Sequence, residues 1–249
     1  MSTPEAVAVI PARLASTRLP GKMLADIHGR PLLWHVWNRV RQARLLEGIY
    51  VATDSEQIRQ AVESWGGQAF MTSPGCRSGT ERIASILPLL SARLIINVQG
   101  DEPTIDPLLL DDLVTAWQQG GRDILTPVYE LTSTEDLLNP NVVKVARTHT
   151  GRALYFSRSP IPFVRDLPVE RWLERGPFWG HVGVYAYPRE VLEAYPQLPP
   201  SSLEAVESLE QLRYLEAGYA IQTIASSYRP VAVDTPADLE RVRQMIERP

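Results

Sequence analysis

Three cations within ten residues, Arg13, Arg18 and Lys22, follow directly on the apolar run Ala6-Val7-Ala8-Val9-Ile10. The segment Ile10-Pro-Ala-Arg-Leu-Ala-Ser-Thr-Arg-Leu-Pro-Gly-Lys22 places small residues between those charges. Small side chains let backbone N–H groups approach phosphate oxygens, and the cations neutralise them. A phosphate site is expected here, with a solvated basic loop as the alternative. The segment is not a Walker A loop, because Met23 follows Gly21-Lys22 and no glycine stands five residues earlier. No GxGxxG occurs in the chain either, which argues against a dinucleotide cofactor.

A second chemistry-bearing segment, Asn97-Val-Gln-Gly-Asp-Glu-Pro103, also follows a buried-strand pattern. A carboxylate at a strand's carboxyl edge, opposite a phosphate loop, suits Mg²⁺, which takes one or two carboxylates plus substrate phosphates. Asp101 is placed for that role, although Asp101 or Glu102 could instead cap the next helix. Asp234 precedes a helix start with Thr235 as N-cap, Pro236 at the first position and Asp238 in the first turn. Helix-dipole complementation is therefore the competing account of Asp234. In Arg77-Ser-Gly-Thr-Glu-Arg82, a strand gives way to a helix, and Ser78 or Thr80 either caps it or walls a polar pocket.

Such residues need strands that end side by side. Apolar runs predict strands over 5–11, 49–53, 68–72 and 94–98, alternating with helices over 31–43, 56–65, 80–90 and 107–118. That alternation implies a parallel sheet covered on both faces. Beyond residue 122, strand-like segments at 123–131, 142–147, 153–157 and 182–187 take over. A stretch rich in Pro, Arg and Trp over 160–180 reads as a long loop or lid. Helical periodicity returns over 203–216 and 236–247. The expected fold is a three-layer α/β unit with a mixed, mainly parallel sheet and a β-rich insertion. Residues 1–121 are expected to form one half of this unit, 122–232 a strand-rich part, and 233–249 a C-terminal helix segment.

Composition narrows the class. The chain has 249 residues, 44% of them apolar, which excludes disorder as the main state. A single cysteine, Cys76, excludes an intramolecular disulfide and points to a reducing compartment. The sequence Met-Ser-Thr-Pro-Glu lacks the features of a signal peptide, and no apolar run approaches a membrane span of about 20 residues. A cytoplasmic protein without membrane or nucleic-acid partners is expected, in keeping with a net charge of −4. The charge is uneven: residues 1–44 hold seven basic residues and two acidic ones, as a local anionic ligand would require. Of 25 basic residues only two, Lys22 and Lys144, are lysines.

Together the segments resemble the CMP-Kdo synthetases, the 3-deoxy-manno-octulosonate cytidylyltransferases, from Ile10 to about Arg243. Ile10 to Lys22, Ser78-Gly-Thr-Glu-Arg82 and Gln99-Gly-Asp-Glu-Pro103 carry most of the likeness. Asn139-Pro-Asn-Val-Val-Lys144, Ala153-Leu-Tyr-Phe-Ser-Arg158, His181-Val-Gly-Val-Tyr185, Leu209-Glu-Gln-Leu-Arg213 and Val233-Asp-Thr-Pro236 add to it. The resemblance implies a nucleotide-diphospho-sugar transferase fold, a Mg²⁺-dependent reaction of CTP with Kdo to CMP-Kdo and diphosphate, and a homodimer. It implies that Arg13, Arg18 and Lys22 hold the triphosphate, that Ala12, Ser78 and Gly79 frame cytosine and ribose, and that Asp101 and Asp234 bind Mg²⁺. Gln99, Arg158, His181, Tyr185, Glu207, Glu210 and Gln211 would line the Kdo side. Sialic acid or an amino-Kdo is the alternative sugar acid.

Where many members carry an Asp-His pair ahead of Ser-Gly-Thr, this chain has Gly75-Cys76-Arg77, so base contacts there stay open and Cys76 is expected near the nucleotide. On residue chemistry, Glu207, Glu210 and Gln211 would share one face of a single helix and accept from sugar hydroxyls. A solvated acidic face is the alternative. Arg158 is the cation for the sugar carboxylate. His181 could equally be a structural histidine. Lys144 has no role beyond its place in a matched motif.

Overall fold

The computed structural model describes residues 5–16 and 18–246. Strand β1 (Ala6–Ala12) shows how the sequence builds the fold. Ala6, Ala8, Ile10 and Ala12 enter one core cluster, whereas Val7 and Val9 enter the cluster on the opposite face. A strand's period of two divides its side chains this way, so a continuous apolar run is needed where helices cover both faces.

After β1 come a 3-10 turn (Lys22–Leu24), a small hairpin of β2 (Asp26–Ile27) and β3 (Arg30–Pro31), and α1 (Leu32–Val40). The chain then alternates through β4 (Ile49–Thr53), α2 (Glu56–Ser64), β5 (Gln68–Met71), α3 (Gly79–Ile86), β6 (Leu94–Asn97) and α4 (Pro107–Gln118). The second half contains β7 (Ile124–Glu130), α5 (Thr134–Leu138), β8 (Lys144–Arg147), β9 (Ala153–Ser157), β10 (Trp179–His181) and β11 (Tyr185–Pro188). It closes with α6 (Arg189–Ala194), α7 (Ser202–Glu207), α8 (Gln211–Glu216), β12 (Ile221–Ala225) and α9 (Pro236–Met245).

One ten-stranded sheet runs β5-β4-β1-β6-β11-β7-β10-β8-β9, with β12 added to β7. Pairing is parallel from β5 to β6 and between β7 and β12. The other neighbours are antiparallel, starting where β11 meets β6 with Tyr185 opposite Asn97. Helices α1, α4 and α9 cover one face, and α3, α6 and α8 the other. This is the three-layer α/β arrangement expected from the alternating pattern.

Three expectations need correction. The helix over 203–216 is two helices, because Ser208 adopts a left-handed conformation (φ 53°, ψ 50°) that stops α7. Glu207 and Glu210 therefore flank a break and do not share a helix face. The segment 160–180 is more ordered than a lid: it holds a 3-10 helix (Val169–Arg175) whose buried Trp172 donates its indole N–H to the Leu167 carbonyl. The strand over 182–187 starts only at Tyr185, since the Val184 amide turns back to the Val182 carbonyl at 2.7 Å. Residue 247 of the last expected helix, and Met1–Pro4 at the N-terminus, lie outside the described residues.

Candidate active site

Because β1 and β6 pair in parallel, their carboxyl ends lie together, and the loops leaving them wall a cleft of about 320 Å³. Pro11, Ala12 and Arg13 line it from β1, Gln99, Gly100 and Asp101 from β6, and Ser78 and Gly79 from the start of α3. Gly100 permits the approach: a Cβ there would stand 3.0 Å from the Pro11 carbonyl oxygen and 3.0 Å from Met23 Sδ. Gly21, at φ +68°, turns the chain into the 3-10 turn that starts at Lys22.

Lys22 is buried at the cleft floor, where its Nζ donates to Asp101 Oδ2 at 2.6 Å and to Asp234 Oδ1 at 3.1 Å. Arg18 reaches the same Asp234 oxygen at 3.0 Å from a more exposed position. Distant segments meet here because the Val233 amide donates to the Asp101 carbonyl at 2.9 Å, which fastens the approach to α9 onto the exit of β6. The helix that follows Asp101 and Glu102 takes its cap from another residue. Asp106 caps α4, and Asp238 completes a capping box with Thr235 at the start of α9. Glu102, beside Asp101, is buried and accepts from the Tyr228 hydroxyl at 3.3 Å. Burial, reinforced by the Asp101 charge, pushes its pKa up to about 8.

The α3 wall combines capping with lining. Ser78 accepts from the Glu81 amide as N-cap and still faces the cleft, so both readings of that residue hold. Its Oγ lies 3.3 Å from the Tyr195 hydroxyl. Glu210 also lines the cleft and accepts from the Thr80 amide at 3.3 Å. Cys76 and Arg77 sit on the rim. Arg82 is nearly buried, pairs with Asp54 at 2.7 Å, and donates to the Thr72 hydroxyl. Its guanidinium thereby ties the ends of β4 and β5 to the cleft wall.

On the expected sugar side, His181 lies between Phe156 and Tyr185, with ring centroids 5.2 Å from each. Burial pushes its pKa down to about 3, so the ring is neutral. The Thr126 hydroxyl donates to the Val184 carbonyl at 2.8 Å, so its 2.9 Å bond with His181 assigns the ring proton to Nε2. His181 Nδ1 is left as an acceptor. Tyr185 is buried, and Gln211 is buried with no partner for its Nε2.

Arg158 and Glu207 are otherwise engaged. Arg158 donates to the carbonyls of Glu207 at 2.8 Å, Pro140 at 2.9 Å and Ser208 at 3.3 Å. Glu207 accepts from Ser157 Oγ at 2.7 Å and from the Arg158 amide at 3.0 Å. The pair fastens the α7–α8 break onto β9, with one bond from each guanidinium nitrogen of Arg158 going to a backbone carbonyl. Lys144 gains a role: fully buried, it donates to the Asn139 and Val142 carbonyls at 2.8 and 2.6 Å. Burial lowers its pKa to about 8.

The sequence matches the family profile described as Cytidylyltransferase over residues 7–224. A 3-deoxy-manno-octulosonate cytidylyltransferase of Myxococcus xanthus is 45% identical over 99% of this chain and 98% of its own length. The chain belongs to that family. The enzyme of the same description from Geobacter sulfurreducens is 44% identical over 96% of the chain and 98% of its own length. Among solved structures, a CMP:2-keto-3-deoxy-manno-octonic acid synthetase complexed with CTP matches with a TM-score of 0.90 and 42% identity. It covers 97% of this chain and 98% of that one. A glucose-1-phosphate thymidylyltransferase of Bacillus anthracis, with a TM-score of 0.67 and 14% identity over 96% of this chain and 94% of that one, shares the fold alone.

Within this family fold, Asp101 and Asp234 form the part of the cleft that could hold a hard divalent cation. Two carboxylates already converge on one positive charge, and the other ligands would come from substrate oxygens. Among the described residues no group of three or more His, Cys, Asp or Glu side chains could hold a metal ion. Among the described residues no helix is long and apolar enough to cross a membrane.

Proposed function

We propose that the protein activates Kdo with CTP, transferring CMP to the sugar acid and releasing diphosphate, with Mg²⁺ in the cleft. The observation that carries this reading is the floor of the cleft, where Lys22, Asp101 and Asp234 meet beneath Arg13 and Arg18. The anomeric oxygen of the sugar attacks the α-phosphorus in line, the P–O bond to the β-phosphate breaks, and diphosphate leaves. Such a transfer asks the protein mainly for positioning and charge neutralisation. Mg²⁺, when bound by Asp101 and Asp234, would neutralise charge developing at the α-phosphate.

The chain's own residues do the rest. Arg13, Arg18 and Lys22 draw the triphosphate to the exit of β1 and stabilise the leaving diphosphate. Ala12, Ser78 and Gly79 shape the nucleoside wall, where close backbone leaves room for a base. Gln99, Glu210, Gln211 and His181 Nδ1 offer hydrogen-bonding atoms to sugar hydroxyls. A cytoplasmic homodimer completes the reading. Release of diphosphate from CTP and Mg²⁺ should require Kdo and be at least about tenfold slower with sialic acid or amino-Kdo. Equal rates with all three acids, or no release from folded protein, would contradict the assignment.

A further inference from the structure

Lys22 stands where a metal ion shared by Asp101 Oδ2 and Asp234 Oδ1 would stand. Its Nζ touches one oxygen of each carboxylate, at 2.6 and 3.1 Å, from a side chain only 9% exposed. Mg²⁺ binds oxygen at about 2.0–2.1 Å, so an ion on the same two oxygens would lie against the ammonium and be repelled by it. An ion on those two oxygens therefore competes with Lys22, and the competition eases when Lys22 has another anion to pair with. A nucleotide triphosphate is such an anion, because Lys22 lies in the loop whose other cations, Arg13 and Arg18, line the same cleft.

We propose that Lys22 is a displaceable placeholder: it holds the Asp101–Asp234 pair in the free protein and yields the metal position only when a triphosphate draws it away. This rests on the metal reading given above. Lysine suits the task better than arginine, since a compact ammonium with rotatable donors exchanges one oxyanion for another without matching a planar fork. A chain that uses lysine at only two positions has placed one of them here. Arg18, on the same Asp234 oxygen but far more exposed, would leave with it. The consequence is thermodynamic coupling: nucleotide raises metal affinity, and metal raises nucleotide affinity by the same factor.

The test is Mn²⁺ binding followed by electron paramagnetic resonance, with and without a CTP analogue whose α,β-bridging oxygen is replaced by methylene. Without nucleotide, wild-type protein should bind Mn²⁺ at least ten times more weakly than Lys22→Met. With the analogue, Asp101→Asn and Asp234→Asn should bind Mn²⁺ more weakly than wild type. Equal Mn²⁺ affinity of free wild type and Lys22→Met overturns the placeholder role and leaves the metal reading standing. Unchanged affinity in both aspartate variants overturns the metal reading, and the placeholder with it. Should Lys22→Met fail to fold, wild type labelled with ¹⁵N-lysine gives the second readout. Mg²⁺ alone should leave the Lys22 ammonium signal in place and the analogue should move it; a shift with Mg²⁺ alone overturns the proposal.

Discussion

Asp101 and Asp234 line the cleft, while the neighbouring acid Asp106 caps α4 and Asp238 completes the capping box of α9. Asp101→Asn should lower turnover by at least about 100-fold, some 2.7 kcal/mol of transition-state stabilisation, while thermal unfolding shows a folded protein. His181 gives a pH prediction. Its folded pKa, about 3, lies below the ordinary 6.5 because burial disfavours the charged ring. The stability this brings is full above pH 6.5 and is lost as pH falls from 6.5 toward 3, at up to about 1.4 kcal/mol per pH unit. Denaturant titrations between pH 6.5 and 4.5 should show a shallower decline for His181→Gln than for wild type. Much of this site is legible in sequence: three cations after a buried strand point to the cleft that they line. The engagements of Arg158 and Glu207 are not, since nothing in Glu207-Ser-Leu-Glu210 signals the left-handed Ser208 that redirects them.

Strand exits and helix starts decide where those residues meet. Cap signals place α9 correctly, through Thr235, Pro236 and Asp238, because capping is local chemistry. The bond from the Val233 amide to the Asp101 carbonyl is a tertiary contact, and no spacing within either segment encodes it. For the same reason Lys144 reads as an isolated cation until the loop at Asn139–Val142 is seen folded over it. Gly100 tests how closely the elements must approach. Gly100→Ala puts a methyl 3.0 Å from the Pro11 carbonyl oxygen, so the exits of β1 and β6 must part. The variant should lose about 1–3 kcal/mol of stability by chemical denaturation and most of its turnover. Full activity would show that the contact is dispensable.

The sheet joins the two halves of the chain without a linker, because β11 from the second half pairs with β6 from the first. Both core clusters also draw residues from both halves: Val9 and Tyr187 share one, Ile10 and Val184 the other. Calorimetry should therefore record a single unfolding transition, and two separable ones would contradict this shared core. The acidic chain with a basic first sector acquires a physical sense here, since the surplus of residues 1–44 supplies Arg13, Arg18 and Lys22 to the cleft that we propose for the triphosphate. Phosphorus NMR of the protein with CTP, Mg²⁺ and Kdo tests that claim most directly. The three CTP resonances should give way to one phosphodiester and to diphosphate, in equimolar amounts. Unchanged CTP, or conversion to CDP and inorganic phosphate without a phosphodiester, would contradict it.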